Sequence, residues 1–174
     1  MEATLILPLL VGLIAVALVF DFLNGLHDAA NSIATIVSTR VLRPQYAVFW
    51  AAFFNFIAFL FFGLHVAETL GVGIIDADTV TPAVIFAAVV GAIVWNVLTW
   101  IVGIPSSSSH ALIGGLVGAG VAKAGTGAIV WAGLTKTVAA IGLSPLTGFV
   151  LALVLVLAVA WIFVRQPPFA VARA

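Results

Sequence analysis

No cysteine occurs anywhere in this chain, which excludes disulfides and thiol chemistry and leaves the redox compartment open. Charge is nearly as scarce. Only 7% of the 174 residues are Asp, Glu, Lys or Arg, against about 25% in an ordinary soluble domain. With 64% hydrophobic residues and a mean hydropathy of +1.35, the mixture cannot cover a water-exposed surface. The chain reads as an integral membrane protein. Six bases balance six acids, so there is no basic face for nucleic acid or for a polybasic lipid contact. The basic n-region of a cleaved signal is missing too, and "MEATLILPLLVGLIAVALVF" reads as a retained first helix. Alternating ten-residue segments are absent, which argues against an outer-membrane barrel.

What is present is a series of long apolar runs. A membrane span needs roughly 20 apolar residues, and four segments meet that length: Leu5–Leu23, Ala47–Val66, Ala83–Val102 and Leu146–Val164. Ala29–Thr39 follows the first span and is too short to cross alone. Ala111–Ile141 is apolar but interrupted by many glycines. Arg40 and Arg43 mark their loop as cytoplasmic. The loop carrying Glu68, Asp76 and Asp78 suits the opposite side, and Arg165 and Arg173 return the tail inside. That order requires an odd number of crossings after Pro82, met by two spans plus one net crossing in the glycine-rich region. Lys123 and Lys136 are assigned to neither side. The fold class expected is an all-α, polytopic helical bundle with broken or re-entrant helices, residues 1–174 forming one membrane domain without an obvious internal repeat. The tail "RQPPFAVARA" reads as a linker or chain end.

Two polar clusters interrupt the apolar background. In "FDFLNGLHDAANSIATIVSTR", the residues Asp21, Asn24, His27, Asp28, Asn31, Ser32 and Thr35 fall within one stretch. A charge at mid-bilayer costs about 2.5–3.5 kcal/mol on insertion scales, so the aspartates need partners or a wet cavity. Gly25 is expected to let the helix break between Asn24 and His27, freeing backbone groups for ions. Asp28, Asn31 and Thr35 share a helix face. Asn24, Asp28 and Asn31 together offer carboxylate and amide oxygens, which suit a hard cation. Ser32 and Thr35 read as interhelical hydrogen-bonding groups, and Asp21 as a helix-end residue or the partner of a base.

The second cluster is "GIPSSSSHALIGG", Gly103–Gly115. Pro105 suits a first helical turn and pushes its predecessor out of helical geometry, so the chain is expected to break near Gly103–Ile104 and restart at Pro105–Ser106. Serines at a helix start cap amides and add hydroxyl donors, while the helix dipole favours an anion there. His110 adds a further donor, or a charge when protonated. Gly114 and Gly118 have the small-xxx-small spacing of close helix packing. A serine protease reading fails on geometry: Ser109 and His110 are adjacent, and the G-x-S-x-G elbow is missing. His65 reads as interfacial. Trp50, Trp95, Trp100, Trp131 and Trp161 suit packing or interface roles, and Asn55 and Asn96 read as interhelical glue or as support for the site.

Together the two clusters carry a resemblance. "NGLHDAANSIAT", Asn24–Thr35, looks like the signature of the inorganic phosphate transporter (PiT) family, and "GIPSSSSHALIGGLVGAG", Gly103–Gly120, resembles the same family's P-S-S-S-S-H segment, in the same order. The resemblance covers nearly the whole chain. It implies a secondary transporter of inorganic phosphate, free or as a metal–phosphate complex, coupled to Na+ or H+ and using no other cofactor. It implies two inverted halves in the cell membrane (inner or plasma), with multiple passes and broken helices meeting near the midplane. Residue by residue, Ser106, Ser107, Ser108, Ser109 and His110 match the phosphate-facing tip. Asp28 and Asn31 match the cation and phosphate positions, and would be the Na+ ligands if sodium couples; Asn24 and His27 join them in coupling. His27 stands where many sodium-coupled members carry Asn, so the His-Asp pair resembles the proton-coupled branch.

Only one copy of each motif is present, so the chain resembles the first half of such a transporter. It would need a second half or an oligomeric partner; an antiparallel homodimer would require dual topology, against the arginine bias. A permease for sulfate or arsenate, or a non-transporting assembly subunit, are the alternatives.

Overall fold

The computed structural model describes residues 2–62 and 73–165. They form helices α1 (Glu2–Ser38), α2 (Pro44–Phe62), α3 (Pro82–Val102), α4 (Ser108–Ala124) and α5 (Trp131–Phe163), with short 3-10 turns at Ala77–Thr79 and Thr126–Ala128. Among the described residues there is no strand, only an isolated antiparallel bridge between Ile75 and Ile129. Three helical stretches are long and apolar enough to cross a membrane, Leu7–Ser38, Pro82–Val102 and Trp131–Phe163. The second expected span, Ala47–Val66, is described only to Phe62, within α2. His65 and Glu68, and the tail from residue 166 with Arg173, lie outside the described residues.

The chain divides into two compact units, residues 1–131 and 132–174. In the first, α1 packs against both α2 and α3, and α3 packs extensively against α4. The second is the body of α5, which buries none of its residues within the chain.

Two expectations about helix ends are corrected. Gly25 does not break the first helix: α1 runs 37 residues without interruption and absorbs Leu5–Leu23 and all of Ala29–Thr39 but its last residue. A glycine costs a helix only about 1 kcal/mol relative to alanine, whereas each unpaired backbone group in lipid costs several kcal/mol, so continuity wins. Likewise α5 begins at Trp131, well before Leu146, and passes through Pro145. The glycine-rich region is therefore shared between α4 and the first half of α5.

The break after α3 is real. Gly103 adopts φ 74°, and its N–H together with that of Ile104 closes back on Trp100 and Thr99 at 3.3 and 2.9 Å. This is a Schellman ending, which glycine permits without a Cβ penalty. The chain then runs extended through Pro105, and α4 restarts at Ser108, two residues later than Pro105–Ser106 suggested. Ser107 is the cap that decides the start: its hydroxyl accepts from the His110 N–H at 3.4 Å.

α3 and α4 thus form an antiparallel hairpin with a tied base and a polar tip. At the base, Asp76 N–H donates to Ala128 and Val130 N–H to Ile74, at 2.8 and 3.0 Å. Ile74, Ile75 and Val84 form a small core there, backed by Ile113, Leu116 and Val117. Lys123, unassigned by charge alone, lies at this end near the acidic loop and donates to Thr79 O and Thr81 Oγ1, each at 3.1 Å. The close approach between the arms is made by Gly115, where any Cβ would run into the Ala88 carbonyl. Gly114 and Gly118, the pair picked out by spacing, face open space.

Candidate functional site

The continuous α1 presents its polar residues as a ladder. Asn24, Asp28 and Asn31 line a recess of about 570 Å3, closed on the other side by Ala51, Ala52 and Asn55 of α2. One carboxylate and three amides converge there. They are all hard oxygen donors, a set that fits Na+ better than a transition metal. Among the described residues no three His, Cys, Asp or Glu side chains gather as a metal cluster. Asn55 is the member that sequence reasoning left undecided; its place on α2 opposite the α1 ladder became visible only with the packing. Ser32, expected to bond across helices, instead donates to the Asp28 carbonyl of its own helix at 3.0 Å.

His27 points along a different side of α1. Its Nδ1 lies 2.9 Å from the Leu23 carbonyl. A carbonyl can only accept, so Nδ1 carries the hydrogen of this bond. The other ring nitrogen, Nε2, is buried and has no hydrogen-bond partner.

The serine tip is built by α3 as much as by α4. Trp95 Nε1 donates to Ser106 Oγ at 3.0 Å, fixing a hydroxyl that belongs to the extended segment. Ser107 is held as the α4 cap. Ser106, Ser107 and His110 line a second recess of about 610 Å3 with Trp95 and Gly115. Ser108 is buried in the hairpin seam, and Ser109 is exposed and does not line this recess. The four serines are therefore not equivalent, and Ser106 and Ser107 carry the geometry.

The two clusters meet in a third, smaller recess of about 260 Å3. His27 and Asn31 of α1 face Gly103, Ile104, Pro105 and Ser106 across it. Asn31 lines both this recess and the Asp28 recess, so it links the carboxylate to the tip. Two motifs far apart in sequence thus share one polar opening in an apolar bundle.

Residues 24–173 match the model of the Phosphate transporter family (PHO4), a stretch that contains both clusters. The chain belongs to this family. It is 80% identical to a probable low-affinity inorganic phosphate transporter of Rhizobium meliloti (strain 1021), over 98% of this chain and 51% of that protein. A Bacillus subtilis (strain 168) protein of the same description is 46% identical, over 94% of this chain and 49% of its own length. The solved structure of a protein titled "The sodium-dependent phosphate transporter" superposes with a TM-score of 0.84 at 26% identity, covering 92% of this chain and 42% of that one. The chain therefore spans about half the length of these relatives. The family's members named here are transporters, which agrees with rejecting the serine protease reading.

Proposed function

We propose that this chain is one half of a secondary active transporter of inorganic phosphate in the cell membrane, crossing it several times. The observation that carries the reading is the shared recess, where His27 and Asn31 face the Gly103–Ser106 tip. Ser106, which lines this recess and the neighbouring Trp95–His110 recess, joins the Ser107 hydroxyl and the free amides at the start of α4 in binding phosphate oxygens, with the helix dipole aiding an anion. Asn31 donates from the α1 side.

Asp28 supplies the coupling. Its carboxylate lines the adjoining recess, joined to the tip through Asn31, and uncompensated it repels the anion. A cation held by Asp28, Asn24, Asn31 and Asn55 cancels that repulsion, so anion and cation bind together. A proton serves the same purpose, on Asp28 or on the free Nε2 of His27. The open faces of the recesses are completed by a second half bearing its own copies of the two motifs.

The test is labelled phosphate uptake into proteoliposomes containing this chain, with and without the complementary half of a full-length relative. Uptake is expected only with both halves. Asp28→Asn should uncouple uptake from the cation gradient, and Ser106→Ala with Ser107→Ala should lower phosphate affinity more than tenfold. Unchanged affinity in the double serine variant overturns the anion site. Sulfate competing as well as phosphate points to a broader oxyanion permease. A chain that binds no anion even with its second half is an assembly subunit.

A further inference from the structure

At the tip end of the α3–α4 hairpin lie two buried polar side chains that the phosphate site proposed above leaves out. Asn96 is 0% exposed, and neither its side-chain Nδ2 nor its Oδ1 has a hydrogen-bond partner. Ser108, the first residue of α4, is 2% exposed, and its hydroxyl is likewise unpartnered. The neighbouring Trp95, Ser107 and Thr99 are each bonded elsewhere. Trp95 is bonded to Ser106 and Ser107 to the His110 N–H, and Thr99 Oγ1 bonds back to the Trp95 and Asn96 carbonyls at 2.9 and 3.1 Å.

The register brings the two orphans level. Asn96 belongs to the stripe that α3 buries, Val84, Ala88, Ala92, Asn96 and Thr99. Gly115 of α4 meets that stripe at Ala88, and Trp95 reaches Ser106 at the tip, so the helices run antiparallel. About two turns from the Gly115–Ala88 contact toward the tip lie Ser108 on α4 and Asn96 on α3, at one level and both buried. Burying a polar group unpaired at this depth is costly.

Chemistry selects what joins them. The Asn96 amide brings two donors and an acceptor, and the Ser108 hydroxyl brings one donor and an acceptor. A bare cation offers nothing to the amide N–H groups, and an anion opposes the amide oxygen. Water donates two bonds and accepts two, and it matches both partners. We propose that Asn96 is a positioning residue. Through one buried water shared with Ser108 it holds the first turn of α4 against α3, and so sets the direction in which Ser106 and Ser107 present their groups. The consequence for phosphate rests on the function proposed above; the hold on α4 does not.

Amide hydrogen exchange on the full chain in lipid, without phosphate, tests this directly. His110 and Ala111 are the reporters, because their N–H groups depend on the Ser107 hydroxyl and carbonyl. Asn96→Ala and Ser108→Ala should each speed their exchange about tenfold, and the double variant should be no faster than either single. Exchange at Asp76 and Val130, in the tied base, should stay put and certifies folding. Asn96→Ser, whose hydroxyl still holds a water, should restore protection, while Asn96→Val should not. Unchanged exchange in the single variants, multiplied effects in the double, or rescue by Val as good as by Ser overturns the proposal. In uptake assays with the second half present, Asn96→Ala should raise the phosphate KM about tenfold with turnover nearly kept. Faster exchange with an unchanged KM would leave the hold on α4 standing and overturn the phosphate role of the serines instead.

Discussion

At the scale of single residues, the site depends on side chains that are themselves held. Ser106 sits in extended backbone, where no helix fixes its rotamer; the Trp95 indole does so from the neighbouring arm at 3.0 Å. Trp95→Phe keeps most of the bulk and removes the donor. A neutral hydrogen bond is worth about 1 kcal/mol net, so the phosphate KM should rise about fivefold with turnover little changed. An unaltered KM would mean that Ser106 needs no such orientation. His27 is anchored in the same way, through Nδ1 on the Leu23 carbonyl, while its buried Nε2 has no partner. His27→Gln can place one amide group but cannot take up a proton. If the proton is the coupling ion at this site, that variant should lose pH-gradient-driven uptake while still exchanging phosphate at equilibrium. Gradient-driven uptake at the original rate would remove His27 from coupling.

At the scale of elements, the α3–α4 hairpin is a bracket: its base is pinned by the Ile75–Ile129 bridge and its arms close on Gly115. Gly115→Ala drives a Cβ into the Ala88 carbonyl, a backbone atom that cannot swing aside. It should cost about 1–3 kcal/mol, seen as a lower melting temperature in detergent. Gly118→Ala meets nothing within 4 Å and gains helix propensity, so it should be neutral or slightly stabilising. Equal effects at the two positions would refute the register. This contrast also marks what a sequence can disclose. The serine tip, the Gly103 break and the Asp28–Asn31 face were legible, because Gly, Pro and helical spacing act locally. The choice of Gly115 over the Gly114 and Gly118 pair was not, because it depends on the rotation of α4 against α3. Nor was the continuity of α1 through Gly25, which is decided by the cost of unpaired backbone in lipid rather than by glycine's own preference. Trp95 gave a sequence reader only an aromatic in a span, and its role emerged when the hairpin folded it onto Ser106.

At the scale of the whole molecule, polar surface lies where a membrane protein cannot leave it bare. Asp28 and Asn31 are exposed on a bundle whose other exposed side chains are largely Leu, Val, Ile and Phe. A charge facing hydrocarbon costs about 2.5–3.5 kcal/mol on insertion scales, and a second half seated over the Asp28 recess would relieve that cost. The absence of cysteine makes the idea easy to examine, since any introduced thiol is the only one. Ala52 lines the Asp28 recess from α2, while Val156 of α5 is 65% exposed among other apolar side chains. With the chain alone in bilayers, a water-soluble maleimide should label Ala52→Cys readily and Val156→Cys hardly at all. Adding the complementary half should slow labelling of Ala52→Cys about tenfold, and phosphate with the coupling cation should slow it further. If the second half restores uptake yet leaves Ala52→Cys equally reactive, the two halves meet elsewhere, and the recess between α1 and α2 is a water-filled entrance rather than the covered site.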